Sequence, residues 1–140
     1  MIVKVFIKRL SVSSSVNFLE LAKHDIKKVV EVSITHAPLP PELADGAIVG
    51  THNVVISFRD LETREELGVC DSTVQTIVAG EGVEELYKAW SKGYNNLPED
   101  LRAEIETRIS WVLLPSASVI LEKMGLPPAV PPLILSPRKE

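Results

Sequence analysis

The chain has 140 residues, of which 45% are hydrophobic and 24% are charged, and its formal net charge is −4. This length and composition predict one globular domain, residues 1–140, that folds without disulfides or metals. The net negative charge argues against a protein that binds duplex nucleic acid. The longest uncharged stretch, residues 109–121, is too short to cross a bilayer, and the first residues do not resemble an export signal. The single Cys70 suits a reducing compartment, so we expect a cytoplasmic protein.

Four segments show the alternation of apolar and polar residues that is typical of strands. They are residues 2–10, residues 26–35, a third segment from Ile48 to Phe58, and residues 67–78. The Pro38–Pro41 run cannot lie in a central strand, so it predicts a loop. We predict that the third and fourth strands form a hairpin with Ile56 opposite Cys70, because this register brings the two apolar faces together.

The carboxyl-terminal half of the chain predicts two helices. Apolar residues recur at helical spacing from Val83 to Trp90, and Gly93 is placed to end this short helix. The Asn96–Glu99 segment resembles a capping signal for a second, long helix. Pro115 lies within that long helix and lacks a backbone N–H, so we expect it to kink or interrupt the helix.

The long helix carries an apolar stripe that is wider than a surface helix needs. The stripe comprises Leu101, Ile105, Ile109, Val112, Val119 and Met124, widened by Leu113, Leu114, Ile120 and Leu121. One small domain has few places to bury so wide a face. We therefore predict that the helix packs on the sheet of its own chain and on a second copy of the chain. Trp111, Val119 and Met124 are the residues expected at this oligomer interface.

The sequence contains no arrangement that predicts catalysis, a cofactor or a metal site. Cys70 and His52 are the one conceivable nucleophile–base pair, but the predicted hairpin separates them by ~13 Å. Cys70 is then a small buried hydrophobe. The three histidines lack metal-ligand spacing, and we expect them on the surface or in loops. The Gly80–Gly82 segment is flanked by acids that would repel phosphate, which favours a structural turn.

Charged residues cluster at the start of the long helix. They are Glu99, Asp100, Glu104 and Glu106, interleaved with Arg102 and Arg108. Acids at this position suit the helix dipole, and Glu104 with Arg108 forms a favourable pair four residues apart. We therefore expect a solvated face and not a pair of catalytic carboxylates.

The order of these elements resembles that of the SecB-type export chaperones and their SecB-like relatives. The local similarities are Phe6–Leu10 before a serine-rich stretch, Glu65–Cys70 running to Ile77–Gly80, Leu113–Ala117, and Gly125–Pro128 with Leu133–Pro137. The resemblance is one of pattern and covers nearly the whole chain. It implies an α+β fold in which a four-stranded antiparallel sheet is followed by a short helix and a long helix on one face. It also implies dimers or tetramers that hold unfolded polypeptides without ATP.

Two departures from the family pattern bear on which function is expected. The family lines its client groove with several aromatic residues, whereas this chain has Lys23-His24-Asp25 before the second strand. The family contacts the export motor through an extended region after the position of Pro137, and we expect this region to be largely missing here. A SecB-like fold with altered clients, or a controller of a toxin–antitoxin pair, is therefore as well supported as an export chaperone.

We predict a polypeptide-binding surface on the apolar face of the hairpin, provided that this face is partly open. Its residues are Val54, Ile56, Phe58 and Val74, with Leu133 and Ile134 as the rim. One alternative is a small-molecule-binding or enzymatic dimeric α+β domain, which a closed pocket with converging polar groups would distinguish. Another is a structural or regulatory subunit with a fixed protein partner.

Overall fold

The fold, given by a computed structural model, is described for residues 1–14, 30–60 and 62–124. The elements there are β1 (Ile2–Ser14), β2 (Val30–Pro38), β3 (Glu42–Ala44), β4 (Ala47–Asp60), β5 (Glu66–Ala79), α1 (Val83–Lys92), a 3-10 helix (Tyr94–Asn96) and α2 (Glu99–Lys123). The start of the predicted second strand, residues 26–29, and the apolar tail from Gly125 lie outside the described residues.

The strands form one antiparallel sheet in the order β1-β5-β4-β2, with β3 also paired to β4. The described sheet therefore has five strands where the sequence predicted four. The extra strand, β3, continues the line of β2 along the same edge of β4. The Pro38–Pro41 run interrupts this line because proline has no N–H for the ladder. Leu39 still reaches β4 by donating its N–H to the carbonyl of Thr51 at 2.8 Å.

The predicted hairpin register is confirmed, since Ile56 lies opposite Cys70 and His52 lies opposite Val74. Side chains on a strand alternate between the two faces of the sheet. In β4 every even-numbered residue from Ile48 to Asp60 is buried, and the residues between them are more exposed. One face of the sheet therefore forms the core, and both helices contribute residues to the same hydrophobic cluster.

The short helix α1 ends as predicted, because the N–H of Gly93 bonds to the carbonyl of Trp90 at 2.9 Å. The predicted cap of α2 is wrong: Asn96 lies in the 3-10 helix, and no side chain caps the start of α2. Of the two effects expected at Pro115, the interruption is wrong, because α2 continues through this residue. Pro115 lies on the exposed side of the helix, so water can donate to the carbonyl of Trp111, for which proline provides no N–H.

The buried side of α2 agrees only in part with the predicted stripe: Val112 and Ile120 are half-buried, and Ala117 is buried without having been predicted. The buried apolar residues are Leu101, Ile105, Ile109, Leu113, Leu114, Ala117 and Leu121. Val119 was predicted to belong to this stripe, but it lies about 200° around the helix from Leu121 and is 56% exposed. Met124 is partly buried against the core. Within the described part of the chain, every helix is too short or too polar to span a bilayer.

Candidate functional site

The residues predicted to bind polypeptide lie inside the core. Val54, Ile56, Phe58 and Val74 are each at most 2% exposed and belong to the cluster that joins the sheet to both helices. The condition of a partly open sheet face is therefore not met in this structure. A polypeptide reaches these side chains only if the helices move away. The predicted rim residues, Leu133 and Ile134, lie outside the described residues.

The exposed side of α2 carries apolar residues at steps of four. Trp111, Pro115 and Val119 are all exposed, and we call them the exposed α2 stripe. The large side chain of Trp111 is 58% exposed, although the core beneath the helix is closed. Large exposed apolar residues in a row are typical of a surface that something covers. The structure thus places two of the three predicted interface residues on one open face.

A groove runs between α2 and the edge strand β1, beside the exposed α2 stripe. It encloses about 540 Å³ and is lined by Val5, Ala103, Glu104, Thr107, Arg108, Trp111 and Val112. The predicted ion pair of Glu104 with Arg108 is confirmed at 3.2 Å and lies in this groove. On the other face of β1, Phe6 is also half exposed. Apolar side chains on a sheet edge favour pairing with another chain.

A second, polar arrangement lies where strands β2, β4 and β5 meet the helices. Nε2 of His36 and Nδ1 of His52 are 2.6 Å apart, and Nε2 of His52 is 2.9 Å from Oγ1 of Thr76. Nδ1 of His36 is 3.6 Å from Oε1 of Glu106 on α2. The four side chains therefore form a chain of polar contacts from α2 across three strands. We call them the histidine chain.

Aromatic rings surround the histidine chain on the core side. Trp90 packs on His52 with ring centroids 5.7 Å apart, and Tyr94 meets His36 edge-on at 5.5 Å. Gly50 of β4 leaves room for the Trp90 ring. A cavity of about 380 Å³ opens beside this cluster, lined by His36, Pro38, Gly93, Tyr94, Asn95 and Glu106.

Two of the sequence expectations fail at this cluster. His52 was expected on the surface or in a loop, but it is completely buried. Glu106 was expected on a solvated face, but its side chain is only 19% exposed because it turns toward His36. Buried polar groups need hydrogen-bonding or charged partners, and His36 is the partner of both His52 and Glu106.

Burial, followed by the neighbouring His36, lowers the pKa of His52 from the ordinary 6.5 to about 3. The unfolded chain therefore binds more protons at this residue than the folded chain between these two values. The stability that depends on neutral His52 is fully present above pH 6.5 and is lost as the pH falls toward about 3. Burial and then the Glu106 carboxylate raise the pKa of the Tyr94 hydroxyl.

The geometry gives little support to the one nucleophile considered in the sequence. Cys70 is completely buried, and burial followed by the Asp71 carboxylate raises the pKa of its thiol to about 11. The nitrogens of His52 are occupied by His36 and Thr76. Within residues 1–14, 30–60 and 62–124, no group of three or more His, Cys, Asp or Glu side chains is arranged so that it could hold a metal ion.

The histidine chain was missed in the sequence, although a signal for it was present. His36 follows Ile34 by two residues, and His52 precedes Val54 by two, so alternation places both on the core face of their strands. Their contact also needs β2 to lie beside β4. That pairing was not predicted, because β2 and β4 are not joined by a simple turn.

Comparison with known proteins gives a match at the level of the fold. No protein-family model and no curated protein matches the chain. Among solved structures, it is similar to the SecB-like chaperone of Mycobacterium tuberculosis in complex with a ChAD peptide from the HigA1 antitoxin. The TM-score is 0.57 at 9% sequence identity, and the match covers 98% of this chain and 88% of that chain. This similarity shows a SecB-like fold and confirms the predicted α+β class.

Proposed function

We propose that the chain is an ATP-independent polypeptide-binding protein of the cytoplasm. It holds unfolded or exported proteins, or it serves as a chaperone associated with a toxin–antitoxin pair. The observation that carries this proposal is the SecB-like fold, shared over 98% of the chain with a chaperone that was solved with a peptide bound. The proposal includes no chemical step.

We further propose that a second copy of the chain covers the exposed α2 stripe and the groove beside it. An interface about a two-fold axis uses the same patch on both copies, and an antiparallel edge strand can pair with itself in that way. The groove contains one acid, Glu104, and one base, Arg108, so two copies meet without an excess of like charge. Trp111 is a large ring of the kind that anchors protein interfaces.

A specific observation favours one alternative function. The cavity of about 380 Å³ brings His36, Tyr94 and Glu106 together, and converging polar groups in a cavity are typical of small-molecule sites. Asn95 also lines this cavity. A small-molecule-binding domain is therefore the second candidate function. Saturable binding of a small polar compound in the absence of polypeptide would identify it.

The polypeptide-holding proposal predicts that the chain suppresses aggregation of a chemically denatured protein. We expect light scattering after dilution of the denatured substrate to fall as the chain is added at modest molar excess, equally with and without ATP. An equal mass of an unrelated acidic protein of similar size is the control. Undiminished scattering at every ratio would contradict a holding function, and the small-molecule alternative would then be preferred.

A further inference from the structure

The contact between His36 and His52 imposes a condition on protonation. Their facing nitrogens are only 2.6 Å apart, which is the distance of a strong hydrogen bond. In such a hydrogen bond one nitrogen donates its N–H and the other accepts it. A charged imidazolium ring cannot accept, because both of its nitrogens carry N–H groups. Two charged rings would bring two N–H groups and two positive charges into contact. The contact is therefore compatible with no charge or with one charge, but not with two.

The remaining partners of the two rings differ in charge. On α2, Glu106 places a carboxylate beside the outer nitrogen of His36. On β5, Thr76 offers His52 only a neutral hydroxyl. Tyr94 faces His36 from the 3-10 helix with its ring edge, and the Arg102 charge acts on the Tyr94 hydroxyl. Of the two rings, His36 thus has a carboxylate beside it, whereas the partner of His52 on β5 is neutral.

We propose that this histidine contact is a proton-sensitive latch. It holds β2 to the helical layer while at most one of the two rings is charged, and it opens when the second ring takes up a proton. His36 links β2 to both Glu106 of α2 and the Tyr94 ring. Opening therefore widens the cavity beside β2 and exposes Trp90, which packs directly on His52. The strong desolvation of His52 is consistent with a second proton entering only as the cluster opens.

Trp90 provides a direct reporter of the latch. The chain has two tryptophans, and replacing the exposed Trp111 by phenylalanine leaves Trp90 as the only one. In this background we expect Trp90 emission to shift to longer wavelength as the solution is titrated from about pH 8 to about pH 3, before the far-ultraviolet circular dichroism of the sheet is lost.

The matched variant is His52→Gln, whose amide can accept from His36 and donate to Thr76 but cannot take up a proton. We expect this variant to move the midpoint of the emission change to lower pH by at least about one unit. The same midpoint in both proteins would overturn the latch.

A measurement on the unaltered pair keeps the inference testable if the glutamine variant fails to fold. Ring 15N shifts in a His24→Gln background report the charge and tautomer of His36 and His52 separately. We expect at most one charged ring until Trp90 emission changes. Two charged rings with Trp90 still buried would contradict the latch. The emission and 15N measurements use the chain without polypeptide, so their outcome does not depend on whether the chain binds polypeptide.

Discussion

Replacement of Gly50 by alanine is expected to lower the free energy of unfolding by about 1–3 kcal/mol. A Cβ at this position would lie 2.6 Å from Cζ2 of Trp90 and 2.7 Å from Oγ1 of Thr76, well inside van der Waals contact. Trp90 is 2% exposed and packs against the rings of His52 and Tyr94, so it has little room to move. Equilibrium urea unfolding followed by circular dichroism measures the loss. At an uncrowded strand position the same change stabilises, since glycine is a weak strand former.

The matched control for this prediction is the same substitution in a Trp90→Phe background. Phenylalanine lacks the outer ring atoms that approach Gly50, so the cost of Gly50→Ala should fall by more than half, with Thr76 accounting for the remainder. Such non-additivity is the signature of two residues in contact. An alanine variant as stable as the parent chain would show that Trp90 does not occupy this position.

Introduction of lysine at Trp111 is expected to convert an oligomer into monomers while the fold is kept. The side chain is 58% exposed in the single chain, so the substitution leaves the core intact. A two-fold interface contains the same residue from both copies, so the substitution removes two Trp111 rings from each dimer. At about 2 kcal/mol for each buried ring, the dissociation constant should rise by about a thousandfold. Sedimentation velocity over a concentration series gives this change directly.

Two further variants complete the test of the interface. Trp111→Phe keeps an apolar ring and should keep the oligomer, whereas Val119→Lys, on the same exposed α2 stripe, should weaken it. Circular dichroism identifies any variant that has lost its fold. If the parent chain is itself a monomer of 15.4 kDa at working concentrations, the exposed α2 stripe is not an interface between copies.

The sequence was most informative where structure follows from local pattern. The alternation of apolar residues defined the two faces of β4 and β5, and only one register brings those faces together, so Ile56 was correctly placed opposite Cys70. Gly93 was correctly placed at the end of α1 for the same kind of reason, because a helix end depends on a few neighbouring residues.

Features that depend on contacts between distant segments were not predictable. The three-residue strand β3 is too short to show alternation, and it exists because β4 extends beyond β2. The face assigned to Val119 was wrong because α2 packs along Leu113, Ala117 and Leu121. The histidine chain needed the pairing of β2 with β4. The predicted client residues were placed in the core by the same helices that complete the fold.

The central claim, that this chain forms an oligomer that holds unfolded polypeptide without ATP, is tested most directly by one sedimentation-velocity experiment. The parent chain is mixed with a fluorescently labelled, permanently unfolded polypeptide, and both components are followed in the same cell. We expect the label to sediment with an oligomer of the 15.4 kDa chain in the absence of nucleotide. A chain that sediments as a monomer, with the label moving independently of it, would contradict the account.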